Sequence, residues 1–377
     1  MLLLTRELNI VKKMKKYKLG ELFCGPGGIA VGAELANQSI SNFYNVELVH
    51  GWAVDYHDET IATYRQNIEG ASDKTAIISD VRKITAKQLA KISDIDGFAY
   101  GFPCNDFSLV GEHKGIDGNF GPLYSYGLPI LKHFNPKFFI AENVGGIRSA
   151  NNGEALAKIL HDLSNVGNGY VVTPHLYKFE EYGVPQARHR VILVGIRKDL
   201  GLTFLPPSPT HINKFKTCKD AIETPKIESW MSNHEFTRQS AQVIDRLKHI
   251  QPGENAWTAK LPSKLKLNVS GAQISQIYKR LDPNKPSYTV TGSGGGGTHV
   301  YHWEEHRALT NRERARLQTF PDNFVFLGSK ESVRRQIGMA VPPEGARVIF
   351  EAIIKTLEKV TYKSVQPNID LKDFIYL

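Results

Sequence analysis

Short apolar runs alternate with segments of helical periodicity through the first half of the chain. The apolar runs lie at Lys18–Phe23, Glu47–Val54, Ala76–Ser79, Ile95–Tyr100, Phe138–Ala141, Tyr170–Val172 and Val191–Ile196. The helix-compatible segments lie at Ile29–Asn37, Asp58–Asn67, Ala86–Ile92, Leu123–His133 and Gly153–Asn165. Strands that are separated by helices are typical of βαβ units. The pattern therefore predicts an α/β fold with a doubly wound, mostly parallel sheet, whose ligands bind at the carboxyl ends of the strands.

This alternation stops near the proline-rich segment Thr203–Pro209. Residues 198–304 show no βαβ rhythm and carry 14 Lys and Arg against 9 Asp and Glu. They include the run Gly292–Gly297, which we expect to be a flexible or tightly turning connector. Helical patterns return at Arg307–Gln318 and Gly345–Val360. We predict an N-terminal extension at 1–16, an α/β domain built from 17–197 and 305–377, and a smaller basic domain inserted at 198–304.

The overall composition is that of an ordinary globular protein, with 41% hydrophobic and 23% charged residues among 377. A net charge of +9 and a pI near 9.2 favour a polyanionic partner. No apolar run approaches the length of about 18 residues that would span a bilayer. The opening MLLL is followed at once by Arg6 and Glu7, so it lacks a signal-peptide core. We therefore expect a cytoplasmic protein that does not contact a membrane.

Three loops that follow predicted strands suit a nucleoside ligand. The segment Leu22–Gly28 follows the first strand and opens a helix, and its glycines allow the backbone to approach a ligand closely. Its spacing differs from the GxGxxG pattern of dinucleotide-binding loops. Asp55 ends the second strand, where an acidic residue can accept hydrogen bonds from ribose hydroxyls. Asp80 follows the third strand and could hold an adenine amino group, although either aspartate could instead cap a helix.

A second group of residues suits covalent chemistry on an electron-poor ring. The three cysteines are too few and too scattered for a disulfide framework or a zinc site, so we predict no metal. Cys104 lies beside a proline after the fourth strand, where it is either a nucleophile or, as cysteines more often are, buried and inert. Glu142 ends the fifth strand, where it is either a general acid facing the same cleft or a carboxylate whose hydrogen bonds the nearby backbone satisfies. Arg188 and Arg190 alternate, so on an extended chain they share a face and could meet a phosphate or a base oxygen.

In their order along the chain, these motifs resemble those of the DNA (cytosine-5) methyltransferases, which include the modification enzymes of bacterial restriction systems. The resemblance covers Leu19 to about Lys355, apart from most of the insert. The matching segments are Phe23–Gly28 with FxGxGG, Gly101–Ser108 with GFPCQxFS, Ala141–Val144 with the acid motif, Gln186–Arg190 with QxRxR, Arg307–Pro321 with RxLTxREXARLQxFP, and Gln336–Pro342 with QxGNAVP. The collinearity of the motifs carries the resemblance, since no single motif is decisive.

The resemblance implies a Rossmann-like methyltransferase fold that uses S-adenosylmethionine as methyl donor. It implies that the catalytic residues are Cys104, Glu142, Arg188 and Arg190. The implied donor-binding residues are Phe23, Gly25, Gly27, Gly28, Asp55, Tyr56, Asp80, Val81, Pro103, Leu123, Met339 and Val341. The implied substrate-binding residues are Asn105, Ser108, Asn143, Gln186 and Thr289. The Cys104 thiolate would add to carbon 6 of a flipped-out cytosine while Glu142 hydrogen-bonds or protonates ring nitrogen 3, which makes carbon 5 nucleophilic.

The resemblance also implies partners. The insert at 198–304 would be a target recognition domain that engages the backbone of double-stranded DNA and reads base edges. A restriction endonuclease would be a functional counterpart without forming a stable complex, and we expect a monomer because one catalytic domain and one reading domain suffice. Three residues depart from the family pattern: Cys24 stands for Ala or Ser, Asn105 for Gln, and Met339 for an Asn that supports the donor site. The last change puts the affinity for the donor in question, and not the type of reaction.

Three alternatives differ in substrate or activity. A tRNA cytosine methyltransferase of the same family would resemble PPCQPFT around its nucleophile, whereas this chain has GFPCNDFS and a long insert. A methyltransferase of exocyclic amino groups would have a DPPY-like motif, which Asn135–Phe138 matches poorly because Lys137 replaces the second proline. A non-catalytic DNA-binding relative would be expected to have lost Cys104, Glu142 or the glycine loop.

Overall fold

The computed structural model describes most of the chain, namely residues 14–102, 121–268, 275–295 and 297–370. Four predicted site residues lie outside the described residues: Pro103, Cys104, Asn105 and Ser108.

The described residues contain nine strands and ten α-helices. The strands are β1 (Lys15–Leu22), β2 (Val46–Asp55), β3 (Ala76–Ile78), β4 (Gly97–Gly101), β5 (Phe138–Val144), β6 (Tyr170–Lys178), β7 (Gln186–Ala187), β8 (His189–Arg197) and β9 (Ser287–Tyr288). The helices are α1 (Gly28–Tyr44), α2 (Asp58–Asn67), α3 (Ala86–Ala90), α4 (Gly127–Phe134), α5 (Glu154–Asn165), α6 (Cys218–Glu223), α7 (Ala241–Leu247), α8 (Asn311–Leu317), α9 (Lys330–Met339) and α10 (Pro343–Leu357). Short 3-10 helices lie at Gly121–Tyr126, Gly145–Arg148, Ala150–Gly153, Phe179–Tyr182, Lys198–Leu200 and Ser263–Leu265.

Seven strands form one sheet in the order β3-β2-β1-β4-β5-β8-β6. The first five strands of this order are parallel, and β8 alone runs antiparallel to its two neighbours. This arrangement confirms the predicted doubly wound, mostly parallel sheet. The strand order reverses between β1 and β4, and in such sheets the ligand crevice lies outside the carboxyl ends of the strands at this switch point.

Helices cover both faces of the sheet. On one face α1 packs against α10, which returns to the sheet from the far end of the chain; Ile40 and Ile353 are both fully buried there. Their approach is close, since a Cβ on Gly32 would lie 2.4 Å from the Cβ of Ala346. On the other face α3, α4 and α5 bury Leu89, Leu131 and Leu163 within a second core. The sheet and its loops are therefore held between two apolar layers.

Three of the differences between the observed and the predicted elements concern the domain bounds and a helix in the C-terminal part of the chain. β1 begins at Lys15, inside the predicted extension, because Tyr17 is buried and the strand pairs with β2 from its first residue. Phe204, within the predicted insert, is fully buried in the core that α1 and α10 share. Helix α9 is absent from the predicted helices, because only Val333 and Ile337 give its buried face an apolar stripe.

Candidate active site

A cavity of about 570 Å³ lies at the carboxyl ends of β1, β2, β4 and β5. The predicted site residues that border it are Phe23, Asp55, Tyr56, Asp80, Val81, Leu123, Glu142, Asn143, Arg188, Arg190 and Met339. The cavity thus brings seven of the twelve predicted donor-binding residues together with the predicted acid, whereas Gly25, Gly27, Gly28 and Val341 do not border it. Gly101 and Phe102, at the end of β4, also border it.

The glycine loop after β1 is fixed from two sides. The amide of Gly25 donates to Asp55 Oδ2 at 3.0 Å. Gly27 has a φ of 105°, a left-handed conformation that favours glycine. A Cβ on Gly28 would lie 2.2 Å from the carbonyl oxygen of Val341, so only glycine fits there. Val341 is therefore a buttress of the loop, since it is buried and does not border the cavity.

The Asp55 carboxylate is buried and holds the loops after β1 and β2. Its Oδ1 accepts from the amide of His57 at 3.1 Å, while its Oδ2 accepts from Gly25. Burial raises the pKa of Asp55, and the two amide hydrogen bonds oppose this change. Each carboxylate oxygen has capacity for a further hydrogen bond, so a ribose hydroxyl in the cavity has an acceptor. The neighbouring Tyr56 ring is 60% exposed, which leaves a face for stacking.

The Asp80 carboxylate is engaged by Arg82, with Nε of Arg82 lying 2.9 Å from Oδ1. The hydrogen bonds from Arg82 lower the pKa of Asp80 to about 2. Arg82 also borders the cavity, although no sequence motif pointed to it. The sequence feature that could have indicated Arg82 is its position two residues after Asp80.

Glu142 and Arg190 form an ion pair at the cavity wall. Arg190 Nε lies 2.8 Å from Glu142 Oε1, and the two side chains are only 12% and 13% exposed. The pair arises from sheet register, because β5 and β8 are antiparallel partners and both residues lie near the ends of their strands. A Cβ on Gly101 would lie 3.1 Å from Glu142 Oε2, so the end of β4 directly adjoins this carboxylate. Cys104 follows three residues after Gly101.

Arg188 borders the same cavity but is buried, with 2% exposure. Its Nη1 donates to the carbonyl of Val290 at 3.2 Å and its Nη2 to that of Gly338 at 3.0 Å. Its Nε has no hydrogen-bond partner among the described residues. Burial lowers the pKa of the guanidinium. Arg188 therefore connects Val290, in the predicted insert, and Gly338, near the end of α9, to the cavity wall. Among the described residues, its Nε–H group has no acceptor.

Two predicted substrate-binding residues lie behind the cavity wall. Gln186 is fully buried; its Nε2 donates to Gln318 Oε1 at 3.0 Å and its Oε1 accepts from the amide of Val290 at 2.8 Å. Thr289 Oγ1 donates to the carbonyl of Ala187 at 2.8 Å. Together with the β7–β9 pairing, these bonds hold β9, which lies in the predicted insert, against the residues behind the cavity. This geometry favours a supporting role for both side chains over direct contact with a substrate.

Asn143 lies in β5, and its side chain reaches the residue that follows β4. Its Nδ2 donates to the carbonyl of Phe102 at 3.3 Å, and its side chain is buried while bordering the cavity. It thus fixes the point at which the chain leaves β4. Gly338, which belongs to the Gln336–Pro342 motif, borders the cavity as well. A Cβ there would lie 2.0 Å from the amide nitrogen of Gly292, so glycine is required for this close approach.

Metal-binding clusters and membrane-spanning helices are both absent from the described part of the chain. Across residues 14–102, 121–268, 275–295 and 297–370, no group of three His, Cys, Asp or Glu side chains is arranged to hold a metal ion. In the same residues, no helix is both long and apolar enough to cross a bilayer.

The doubly wound sheet with its glycine loop and acidic strand ends defines a Rossmann-like methyltransferase. The family described as C-5 cytosine-specific DNA methylase matches residues 17–355, and the chain belongs to this family. It is a DNA cytosine-5 methyltransferase. Family membership excludes the alternative of methylation at an exocyclic amino group.

Relatives cover almost the whole chain. Type II methyltransferase M.BbvI of Brevibacillus brevis is 55% identical over 360 residues, which are 95% of this chain and 96% of that protein. Type II methyltransferase M.NgoFVII of Neisseria gonorrhoeae is 38% identical over 353 residues, which are 92% and 88% of the two chains.

Solved structures share the fold. A protein encoded within an E. coli prophage and described as a DNA modification methyltransferase superposes with a TM-score of 0.65 at 24% identity, covering 90% of this chain and 99% of its own. The Dnmt2 methyltransferase of S. pombe superposes with a TM-score of 0.53 at 18% identity, covering 92% and 99%. At these identities the likeness concerns the fold alone.

Proposed function

We propose that this chain is the modification enzyme of a type II restriction–modification system. It methylates carbon 5 of a cytosine that is flipped out of a specific sequence in double-stranded DNA, through a covalent adduct with Cys104. Methylation at that sequence protects the host DNA from a cognate endonuclease. The observation that carries the proposal is the single cavity in which the Glu142–Arg190 pair faces the residues expected to hold the donor.

The cavity suits S-adenosylmethionine in size and in polar groups. Its volume of about 570 Å³ lies within the range of about 300–1,000 Å³ that is usual for small-molecule sites. Asp55 would hold the ribose, Asp80 the adenine, and the glycine loop the methionine portion, while the Tyr56 ring offers a stacking face. Bound S-adenosylmethionine supplies an electrophilic methyl group. At Met339, which is 59% exposed at the cavity rim, this chain offers a thioether where the family pattern has an amide.

The protein's own residues make carbon 5 of cytosine nucleophilic. A bond forms between the Cys104 sulfur and carbon 6, the displaced ring electrons reach nitrogen 3, and Glu142 supplies a proton or a hydrogen bond there. Arg190 orients the Glu142 carboxylate through the 2.8 Å contact. Arg188 and Arg190 border the same cavity and would offer cationic donors to the base oxygen of the flipped cytosine. Once carbon 5 has taken the methyl group and the donor has left as a thioether, loss of the carbon 5 proton, return of the nitrogen 3 proton to Glu142 and elimination of Cys104 would restore the aromatic ring and the free thiolate.

The position of the cavity supports the proposal of base flipping. The reacting side chains lie at the end of a sheet, inside a cleft, and a stacked base cannot present its ring atoms there. Extruding a base costs a few kcal/mol, which contacts to the DNA must offset. Residues 198–304, with 14 basic against 9 acidic side chains, are the proposed target recognition domain.

The names of the relatives support the biological setting. M.BbvI and M.NgoFVII are both type II methyltransferases, and the first aligns with nearly all of this chain. We accordingly place the enzyme in the bacterial cytoplasm, on the nucleoid, as a monomer. A cognate endonuclease would act on the same sequence without a stable complex.

Sequencing after chemical conversion tests the proposal. Unmethylated DNA of mixed sequence is incubated with the protein and S-adenosylmethionine, and Cys104→Ala is treated alongside. We expect protected cytosines in one short motif with the wild type and none with the variant. Calorimetry should show that both proteins bind S-adenosylmethionine equally, because the variant leaves the donor residues intact. A wild type that binds the donor but protects no cytosine would contradict the proposal and would favour an RNA substrate or a non-catalytic DNA-binding protein.

A further inference from the structure

Arg314 in α8 is a buried cation with unmet hydrogen-bond donors. Its exposure is 1%, and within the described residues its Nε, Nη1 and Nη2 have neither a hydrogen-bond partner nor a carboxylate in ion-pair contact. Burial lowers the pKa of the guanidinium to about 10. A buried charge without a partner destabilises a fold, so its presence calls for an explanation. Arg314 also stands at the X of the REXARLQ motif, a position for which the family pattern specifies no residue.

The two other arginines of α8 both have partners within the protein. Arg312 is equally buried, and its guanidinium donates to the carbonyls of Ser232 at 3.0 Å and Phe324 at 2.7 Å. Arg316 forms an ion pair with Asp322 at 2.8 Å. The lack of partners is therefore particular to Arg314 among the three.

Arg314 borders a small cavity that is rich in cations. The other basic side chains at its wall are Lys330, Arg334 and His299. Arg334 Nε, like the Arg314 guanidinium, has no hydrogen-bond partner among the described residues. Burial and the two arginines lower the pKa of His299 to about 4, so at neutral pH the imidazole is uncharged. The cavity volume of about 10 Å³ admits one group of the size of a water molecule or a single oxygen atom.

A glycine-rich loop connects this cavity to the active site. Val290 accepts from Arg188 at the active-site cavity, and Gly294 accepts from Arg334 Nη2 at 3.2 Å. Four residues of chain span at most about 14 Å, a distance that corresponds to a few nucleotides along a DNA strand. A Cβ on Gly294 would lie 2.4 Å from Arg334 Nε, so the loop backbone rests directly on the guanidinium.

We propose that Arg314 and Arg334 form a receptor for one phosphate oxygen of the DNA backbone, a few nucleotides from the flipped cytosine. Guanidinium donors match phosphate oxygens in charge and geometry, and a single oxygen fills the available space. The donors that lack a partner among the described residues would then be satisfied when DNA binds. The inference rests on the proposed function, since it takes double-stranded DNA as the ligand. Glu235, an exposed acid at the cavity rim, is the internal counter-ion that competes with this assignment.

The variant Arg314→Met tests the receptor, because it keeps an unbranched side chain and removes the charge. Binding of an unmethylated duplex that contains the enzyme's target sequence, as identified by sequencing after chemical conversion, is measured by fluorescence anisotropy over a range of NaCl concentrations. We expect Kd to rise about tenfold and the slope of log K against log salt to fall by about one, as for the loss of one phosphate contact. The thermal midpoint without DNA should equal or exceed that of the wild type. The matched control Arg312→Met should lower the midpoint, because buried carbonyls lose their donors.

Three results would contradict the proposed phosphate receptor. An unchanged Kd and salt slope in Arg314→Met would refute the phosphate contact. A lower thermal midpoint in both Arg314→Met and Glu235→Gln would assign Glu235 as the partner of Arg314 and so replace the phosphate. If the wild type itself binds S-adenosylmethionine but no duplex, the proposed function fails and the receptor fails with it; a variant-specific result leaves the proposed function intact.

Discussion

Replacing Glu21 by glutamine perturbs a buried network directly beneath the glycine loop. Glu21 lies in β1 with 2% exposure, and its Oε1 accepts from the Tyr64 hydroxyl at 2.6 Å. Its Oε2 has no hydrogen-bond partner among the described residues. The Tyr64 oxygen lies 3.2 Å from His50 Nδ1, and the Tyr64 ring packs against Gly27. The protonation state of Glu21 therefore bears on the loop that is expected to hold the donor.

The raised pKa of Glu21 sets the sign of the effect on stability and its order of magnitude. Burial raises the pKa of Glu21 to about 8 from its usual 4.5, although the hydrogen bond from Tyr64 acts in the opposite direction. Because the pKa is raised on folding, the stabilisation is complete below the pKa of the unfolded chain and is lost as the pH rises towards the folded value. Each unit by which the pKa of Glu21 differs between the folded and the unfolded chain corresponds to about 1.4 kcal/mol. The free energy of unfolding of the wild type should therefore fall by roughly 3–4 kcal/mol between about pH 5 and pH 8.

Urea unfolding at several pH values measures this loss, without DNA or donor present. Glu21→Gln keeps the acceptor for Tyr64 and cannot ionise, so its free energy of unfolding should vary much less over the same pH range. The two proteins should be similar near pH 5, and the variant should be the more stable at pH 8. Glu228→Gln, at an exposed glutamate, is the matched control and should follow the wild type. Parallel pH profiles for wild type and Glu21→Gln would refute the reasoning.

Three further substitutions test the site itself. Glu142→Gln should lower the single-turnover methylation rate by about 10²–10⁴ while leaving donor affinity unchanged, because it removes the proton donor; an unaltered rate would contradict its role as the acid. Gln186→Ala should lower the free energy of unfolding in urea by roughly 3–5 kcal/mol, because several buried partners lose their hydrogen bonds; a normal stability with a raised KM for DNA would instead indicate substrate contact. Gly28→Ala should weaken donor binding in calorimetry at least about tenfold, since its Cβ would lie 2.2 Å from the Val341 carbonyl; wild-type affinity would contradict the fixed loop.

The sheet could be predicted because parallel strands that are buried on both faces have nearly continuous apolar sequences. Each apolar run predicted as a strand overlaps an observed strand, and the edges shift by a few residues. β6 extends to Lys178 beyond the predicted Val172, because its polar residues pair with β8. Helix α9 escaped prediction, since half of its buried face is polar, with Gln336 donating to the carbonyl of Leu327 at 2.9 Å.

Site residues could be placed at strand ends from the sequence, but their individual contacts could not. Glu142 and Asp55 border one cavity because parallel strands end at the same edge of the sheet. Gln186, by contrast, meets Gln318, a partner 132 positions away, and no local pattern specifies that contact. Arg314 presents the same difficulty, because the sequence of a helical motif does not show whether the surrounding fold buries its arginine.

Covalent trapping tests the central claim, that Cys104 attacks a flipped cytosine in this cavity. A duplex that carries 5-fluorocytosine at the methylated position is incubated with the enzyme and S-adenosylmethionine, and the products are resolved by denaturing electrophoresis and mass spectrometry. Fluorine cannot leave carbon 5 as a proton does, so the adduct persists. We predict a covalent protein–DNA species with the wild type and none with Cys104→Ser. A wild type that methylates the ordinary duplex but gives no adduct, or an adduct that survives in Cys104→Ser, would contradict the account.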